Sequence, residues 1–342
     1  MTRRLTFYLL FFLLTLAARI SCGAPLEYWI SFTSYRQDRS SAGPKYLMKI
    51  DVFGNVLIPA RKVVPELGYA SPPYGATALS QTDGFLLMWM PERREDPQQP
   101  TTNAVFRALI NKQTLRLVLF RKTKLNVYNK YALQVTQRKQ DNFLVLEGLD
   151  PDIGVRYFGV PLSPTGKILP GRLDLFPNPV TCPCEMGISA DGRIFFFRDQ
   201  IGTKLGKFVV QRLNHAGDPV QAPAIVATGR TAPADISNRV HGNQRFALYF
   251  GYPTLDLQVL DADTLENIGD PVHLAKNTGV GNQTAAIDPH GRFVLYTTAT
   301  EHPAGSRLLM YQALDALGHP SGQPKIIAHN VQSGLDVLKD RP

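Results

Sequence analysis

A short apolar run recurs through this chain at Tyr28-Trp29-Ile30-Ser31-Phe32, Phe85-Leu86-Leu87-Met88-Trp89, Phe143-Leu144-Val145-Leu146, Ile194-Phe195-Phe196-Phe197, Phe246-Ala247-Leu248-Tyr249-Phe250 and Phe293-Val294-Leu295-Tyr296. Measured between first residues, the intervals are 57, 58, 51, 52 and 47. A period near fifty residues means that like units stack to share one core. Turn-forming residues precede most copies, as in Thr82-Asp83-Gly84, Ala190-Asp191-Gly192-Arg193 and Pro289-His290-Gly291-Arg292. Gly and Asn accept the positive φ of tight turns, so each apolar run reads as the second arm of a hairpin.

Each unit continues through a polar loop into an alternating strand, such as Lys45 to Val52, Phe208 to Leu213 or Arg307 to Leu314. A second turn and a last short strand follow, for example Val56 to Ile58, Leu115 to Phe120 or Ala224 to Ala227. Four strands per unit with no amphipathic run of helix length predict an all-β propeller of four-stranded blades. The strand that precedes each apolar run recurs at Ala76 to Ser80, Ala132 to Thr136, Met186 to Ser189, Asp235 to Ser237, Thr284 to Asp288 and Gly334 to Leu338. No apolar run follows the last of these, and the N-terminal unit supplies it. The expectation is a six-bladed β-propeller closed by pairing the C-terminal strand with the N-terminal strands. A seven-bladed propeller with a divergent blade and a β-sandwich are the alternatives.

Thr2-Arg3-Arg4, the apolar run Leu5 to Ala18, and Ser21-Cys22-Gly23 have the form of a secretory signal peptide. The expected division is residues 1–23 as signal and 24–342 as one propeller domain, exported to the periplasm or the extracellular space. Cys22 invites a lipoprotein anchor, but Arg19 lies where a lipobox expects Leu. No later segment has the length and apolarity of a membrane span.

The Asp191-Gly192-Arg193 turn, the aromatic strand after it, the polar loop, the alternating strand and the Gly turn together resemble bacterial propellers of the TolB-like and YVTN (lactonase-like) repeat group. The resemblance spans nearly all of the mature chain. It implies the propeller fold, and its lactonase-like members imply a carboxylate site for a cation at the central funnel. Those members are usually seven-bladed and often cytosolic, whereas this chain reads as six-bladed and exported.

Linear catalytic motifs are absent: there is no Gly-x-Ser-x-Gly elbow, His-Glu-x-x-His, P-loop or dinucleotide fingerprint. Cys182 and Cys184 would be the only cysteines left after signal removal, as a structural pair or as a redox or metal-binding pair. Propeller sites form where loops converge on the axis. That places Arg36, Arg39, Arg93, Arg94, Lys130, Arg230 and Asn282 among the binding candidates. Glu185, Asp235 and Glu301 are candidates for acid–base work, with His302 beside Glu301, and Glu185 and Asp235 also for a hard cation. Such a divalent cation is the one cofactor suggested; otherwise none is expected.

The formal net charge of +9 is unevenly spread. Thr101 to Gln140 holds nine basic residues and no Asp or Glu. Such a patch suits an anionic envelope polymer or protein, while Arg116, Lys122 and Lys124 would also protect an exposed edge strand. Nucleic acid is disfavoured because aromatics are not interleaved. The function expected from these features is a monomeric binding or scaffolding module for a protein or anionic envelope partner. A lactonase-like hydrolase with a cation at the funnel is the alternative.

Overall fold

The structure is a computed structural model that describes residues 26–35, 42–65, 77–81, 83–89, 104–124, 128–138, 141–150, 154–171, 173–176, 186–199, 206–214, 218–229, 231–251, 254–276, 278, 284–298 and 307–339. The signal segment, Cys182 and Cys184 lie outside them. All regular structure among the described residues is β, in antiparallel sheets.

The strands are β1 (Glu27–Tyr35), β2 (Ala42–Asp51), β3 (Val56–Val64), β4 (Thr77–Ser80), β5 (Gly84–Trp89), β6 (Ala104–Asn111), β7 (Leu117–Lys124) and β8 (Tyr128–Arg138). They continue as β9 (Asp141–Asp150), β10 (Gly154–Leu162), β11 (Leu173–Phe176), β12 (Met186–Ile188), β13 (Ile194–Asp199), β14 (Gly206–Arg212), β15 (Ala224–Gly229) and β16 (Ala232–Ile236). The last are β17 (Gln244–Phe250), β18 (Thr254–Asp261), β19 (Asn267–Lys276), β20 (Ala285–Ile287), β21 (Phe293–Thr297), β22 (Arg307–Leu314) and β23 (Pro320–Lys339). β4 to β7, β8 to β11, β12 to β15 and β16 to β19 each form a four-stranded sheet in sequence order. The remaining strands form a seven-stranded sheet in the order β20-β21-β22-β23-β1-β2-β3.

β23 links the two ends of the chain. Its first part pairs with β22, from Leu314 opposite Pro320 to Arg307 opposite Val331. Its second part pairs with β1, from Ser34 opposite Val331 to Tyr28 opposite Lys339. Asn330 (φ 60°) and Gly334 (φ 64°) sit at the changeover, where left-handed backbone bends the strand from one partner to the other. The innermost strands touch in the cyclic order β23, β4, β8, β12, β16, β20 and back to β23.

The apolar runs form the second strand of each sheet, and both of their faces are covered. Tyr28, Ile30 and Phe32 pack with Phe293, Leu295 and Tyr311 on one side, while Trp29 packs with Phe85, Leu87 and Trp89 on the other. Phe195 and Phe197 meet Val145, and Phe196 faces Ala247 and Tyr249. A strand buried on both faces takes apolar or small residues along its whole length, with Ser31 the buried hydroxyl of the β1 run, which is why these runs do not alternate.

The third strands end in a shared turn. The side-chain oxygens of Asp51, Asn111, Asn214, Asp261 and Asp315 each accept backbone N–H groups within the following turn. Third strands also reach the next sheet, Arg107 Nη1 donating to Thr165 O at 2.7 Å and Arg212 Nη1 to Asp263 O at 2.7 Å, and within the seven-stranded sheet Tyr311 OH donates across to Val52 O at 2.6 Å.

Some expected boundaries shift. The strand expected from Leu115 begins at Leu117, because Leu115 is left-handed (φ 55°) and closes the Asn111 turn. The inner strand expected at Asp235 to Ser237 runs over Ala232–Ile236, since Ser237 already turns. The strand expected at Gly334 to Leu338 is the end of the longer β23.

Gly54 tests this packing, because its φ is 77° and an added Cβ would lie 2.6 Å from the Tyr311 ring of the adjoining strands. Gly242 has a φ of 64° and nothing within 4 Å of that point. Gly242→Ala is expected to cost about 1 kcal/mol, the backbone penalty alone, whereas Gly54→Ala should cost about 3 kcal/mol because the ring must also move. Urea unfolding of the two variants checks the difference.

Candidate functional site

The innermost strands enclose a cavity of about 290 Å³ along their common axis. Its wall is mostly small or aliphatic, with Ala78 and Leu79 of β4, Ile188 of β12, Ala234 and Ile236 of β16, Ala285 and Ile287 of β20, and Leu335 and Val337 of β23. Two carboxylates interrupt it, Asp235 from β16 and Asp336 from β23. Ser80, Asn238 and His290 add polar atoms at the end where the inner strands turn outward.

Both carboxylates are tied to backbone. Asp235 Oδ1 accepts the N–H of Ile236 at 2.8 Å, and Oδ2 accepts that of Ile287 in the neighbouring β20 at 2.9 Å. Asp336 Oδ2 accepts the N–H of Ala78 in β4 at 2.9 Å and the Ser31 hydroxyl at 3.3 Å. Thr77 Oγ1 continues the pattern by accepting the N–H of Val135 in β8 at 3.2 Å. Polar side chains of one inner strand thus satisfy N–H groups of the next, which short strands set edge to edge would otherwise leave unmade.

Lys45 of β2 is fully buried, and its ammonium donates to Gly334 O at 2.5 Å and lies 4.0 Å from Asp336 Oδ2. Burial pushes the Lys45 ammonium down and the Asp336 carboxyl up, and the attraction between the two opposes both shifts. Asp235 has no such cation: burial raises its carboxyl to about 7 against the pull of its two N–H donors, and the like charge of Asp336 adds to the rise.

Of the residues singled out from the sequence, Asp235 lies on the cavity wall. The backbone of Lys130 lies in β8, one of the inner strands. Glu185, Glu301, His302, Arg36, Arg39, Arg93, Arg94, Arg230 and Asn282 fall outside the described residues. Asp336, Lys45 and His290 were missed as site residues. The available signal for Asp336 was a charge in the middle of Leu335-Asp336-Val337-Leu338, matching Asp235 in Ala234-Asp235-Ile236. Among the described residues no three His, Cys, Asp or Glu gather as metal ligands. Asp235 offers an incoming cation two oxygens that each already hold a backbone donor, and Asp336 lies beside an ammonium. Both Asp235 oxygens and Asp336 Oδ2 are thus already engaged within the fold.

A ring of antiparallel sheets around an axial cavity is the architecture of a β-propeller. Solved structures of that fold are similar to this chain. TolB from Acinetobacter baumannii aligns at 12% identity and a TM-score of 0.54, covering 91% of this chain and 67% of that one. The periplasmic gluconolactonase PpgL of Pseudomonas aeruginosa aligns at 14% identity and 0.52, covering 91% and 98%. A chain of a nidogen/laminin complex aligns at 10% identity and 0.54, covering 91% and 97%. The chain thus resembles the TolB-like and lactonase-like propellers in fold. No protein-family model matches the sequence, and no curated protein matches it.

Two outcomes follow from the carboxylates. The Asp235 carboxyl rises from about 4 unfolded to about 7 folded, so folding takes up a proton between those values. Stability should therefore fall as pH rises from about 4 to about 7, by at most about 4 kcal/mol, and then level off. Asp235→Asn should remove that slope in unfolding midpoints measured across the window. Lys45→Met should cost about 2 kcal/mol at pH 7 by stranding an ionised Asp336, and clearly less at pH 5, where Asp336 is protonated. Denaturant titrations at the two pH values measure the change.

Proposed function

We propose that this chain is an exported six-bladed β-propeller, completed where the second part of β23 pairs with β1, that acts as a binding or scaffolding module for a protein or anionic envelope partner. The cyclic contact of the innermost strands supports the blade count, with the seven-stranded sheet counted as two blades that share β23. The signal-like Thr2 to Gly23 segment supports export.

The observation that carries the binding reading is the use made of the axial carboxylates. A general acid–base or cation-holding carboxylate must present an oxygen to its substrate or metal. Asp235 instead has both oxygens on backbone N–H groups, one of them in the neighbouring β20, and Asp336 Oδ2 accepts the N–H of Ala78 in β4 and lies beside the Lys45 ammonium, so both carboxylates tie inner strands together. The fold itself does not choose between uses: similar structures include a gluconolactonase and a chain from a nidogen/laminin complex. The lactonase-like alternative draws on Glu185, Asp235, Glu301 and His302, of which Asp235 lies on the cavity wall.

Purified mature protein is expected to carry no stoichiometric divalent cation in elemental analysis and to leave a panel of sugar lactones unhydrolysed. It should retain an envelope component at low ionic strength and release it at high salt. Lactone turnover abolished by Glu185→Gln, or a bound equivalent of metal, would replace this reading with the hydrolase.

A further inference from the structure

The outer rim carries a surface unrelated to the axial cavity. β7 is the outermost strand of its sheet, so alternate N–H and C=O groups along one side have no neighbouring strand among the described residues. Other outer edges are blunted: β3 contains Pro59, β19 contains Pro271, the first part of β23, which pairs with β22 alone, contains Pro320 and Pro324, and β11 and β15 span four and six residues. β7 has eight residues and no proline.

Its side chains are open as well. Leu117, Val118 and Phe120 are 42%, 67% and 43% exposed. Phe120 belongs to a cluster of three rings, stacking on Phe106 at 5.5 Å and lying 5.6 Å from the buried Trp89, which is itself 5.7 Å from Phe106. A further strand beside β7 would cover the exposed part of Phe120. Around these groups stand Arg116, Arg121, Lys122 and Lys124, all exposed, and no ion pair joins any of them to a carboxylate among the described residues. Burial first, and then the like charge of Arg121, lower the Arg107 guanidinium from its ordinary value, so the cations repel one another.

We infer that the β7 edge takes an extended acidic polypeptide segment as an added antiparallel strand, with carboxylates between the cations and apolar side chains over Val118 and Phe120. An open ladder is a template for a strand, a role that a lipid headgroup or nucleic acid cannot fill. A second copy of β7 paired antiparallel over its whole length would set Arg121, Lys122 and Lys124 opposite Phe120, Leu119 and Leu117, leaving the cations without a counter-charge. An acidic strand supplies that counter-charge, so the basic side chains favour it over a second copy. This rests on the binding-module reading and deepens it, placing an acidic polypeptide partner on the β7 edge within the basic Thr101 to Gln140 stretch, and it reads out only on β7.

The probe is an eight-residue peptide of alternating Glu and Val, blocked at both ends and added to the mature protein. It is expected to bind in fluorescence anisotropy and to slow amide hydrogen exchange within Leu117–Lys124. Reversing two exposed charges in Lys122→Glu/Lys124→Glu should weaken binding on the order of tenfold. The Lys–Val peptide, and the Glu–Val peptide N-methylated at alternate residues, should not bind; these two controls use the unaltered protein and so do not depend on the variant folding. Equal binding of the N-methylated peptide, protection elsewhere than β7, or no binding at millimolar peptide would overturn the inference. So would capture of phosphatidylglycerol vesicles through Lys122 and Lys124 without any response to the peptide.

Discussion

A four-stranded antiparallel sheet with an apolar second strand has two faces to hide and cannot hide either alone. The alternation of side chains along β1 sends Trp29 to the β4–β7 sheet and Tyr28 and Ile30 to the β20–β22 part of its own seven-stranded sheet, so each group of strands is the cover of two others. Burying each such ring contributes roughly 2 to 3 kcal/mol, and that contribution exists only when the neighbour is in place. The positive-φ glycine at position 54 and the Tyr311 that reaches Val52 are what let the β20–β22 and β1–β3 parts of the seven-stranded sheet approach closely enough to supply it.

Close approach at the axis creates a second demand. Where short inner strands converge, their outward N–H groups meet neighbours that have no ladder to offer, and polar side chains must serve. Thr77 does this without charge, whereas Asp235 and Asp336 do it with carboxylates taken out of bulk water. Lys45, arriving from β2 and bonded to Gly334 O, offsets one of those charges. The other is offset only by dipoles, which is why the Asp235 carboxyl titrates so high.

The apolar second strands were legible in the sequence because burial on both faces leaves no polar position to blur them, and their even spacing exposed the repeat. Outer-strand boundaries were harder. Such strands are largely solvated on one face, and Leu115 looks like strand until its left-handed backbone is seen. The length of β23 was hidden because Pro320, Gly322, Pro324 and Gly334 read as turn punctuation, yet each fits at an edge or a bend. Asp235 was found as a charge at the head of an inner strand. Asp336 passed as an edge of the core, since its partner Lys45 lies at the far end of the chain and nothing local announces the pair.

The split allegiance of β23 has a consequence in time. Tyr28 pairs with Lys339, so β1, β2 and β3 wait for an inner strand that is synthesised after nearly everything else. A chain emerging residue by residue can fold its middle sheets locally, but its first hairpin must hold an unpaired apolar edge until the last residues arrive. The order of synthesis therefore leaves the β1 edge adhesive until β23 is made, and vulnerable to aggregation before then.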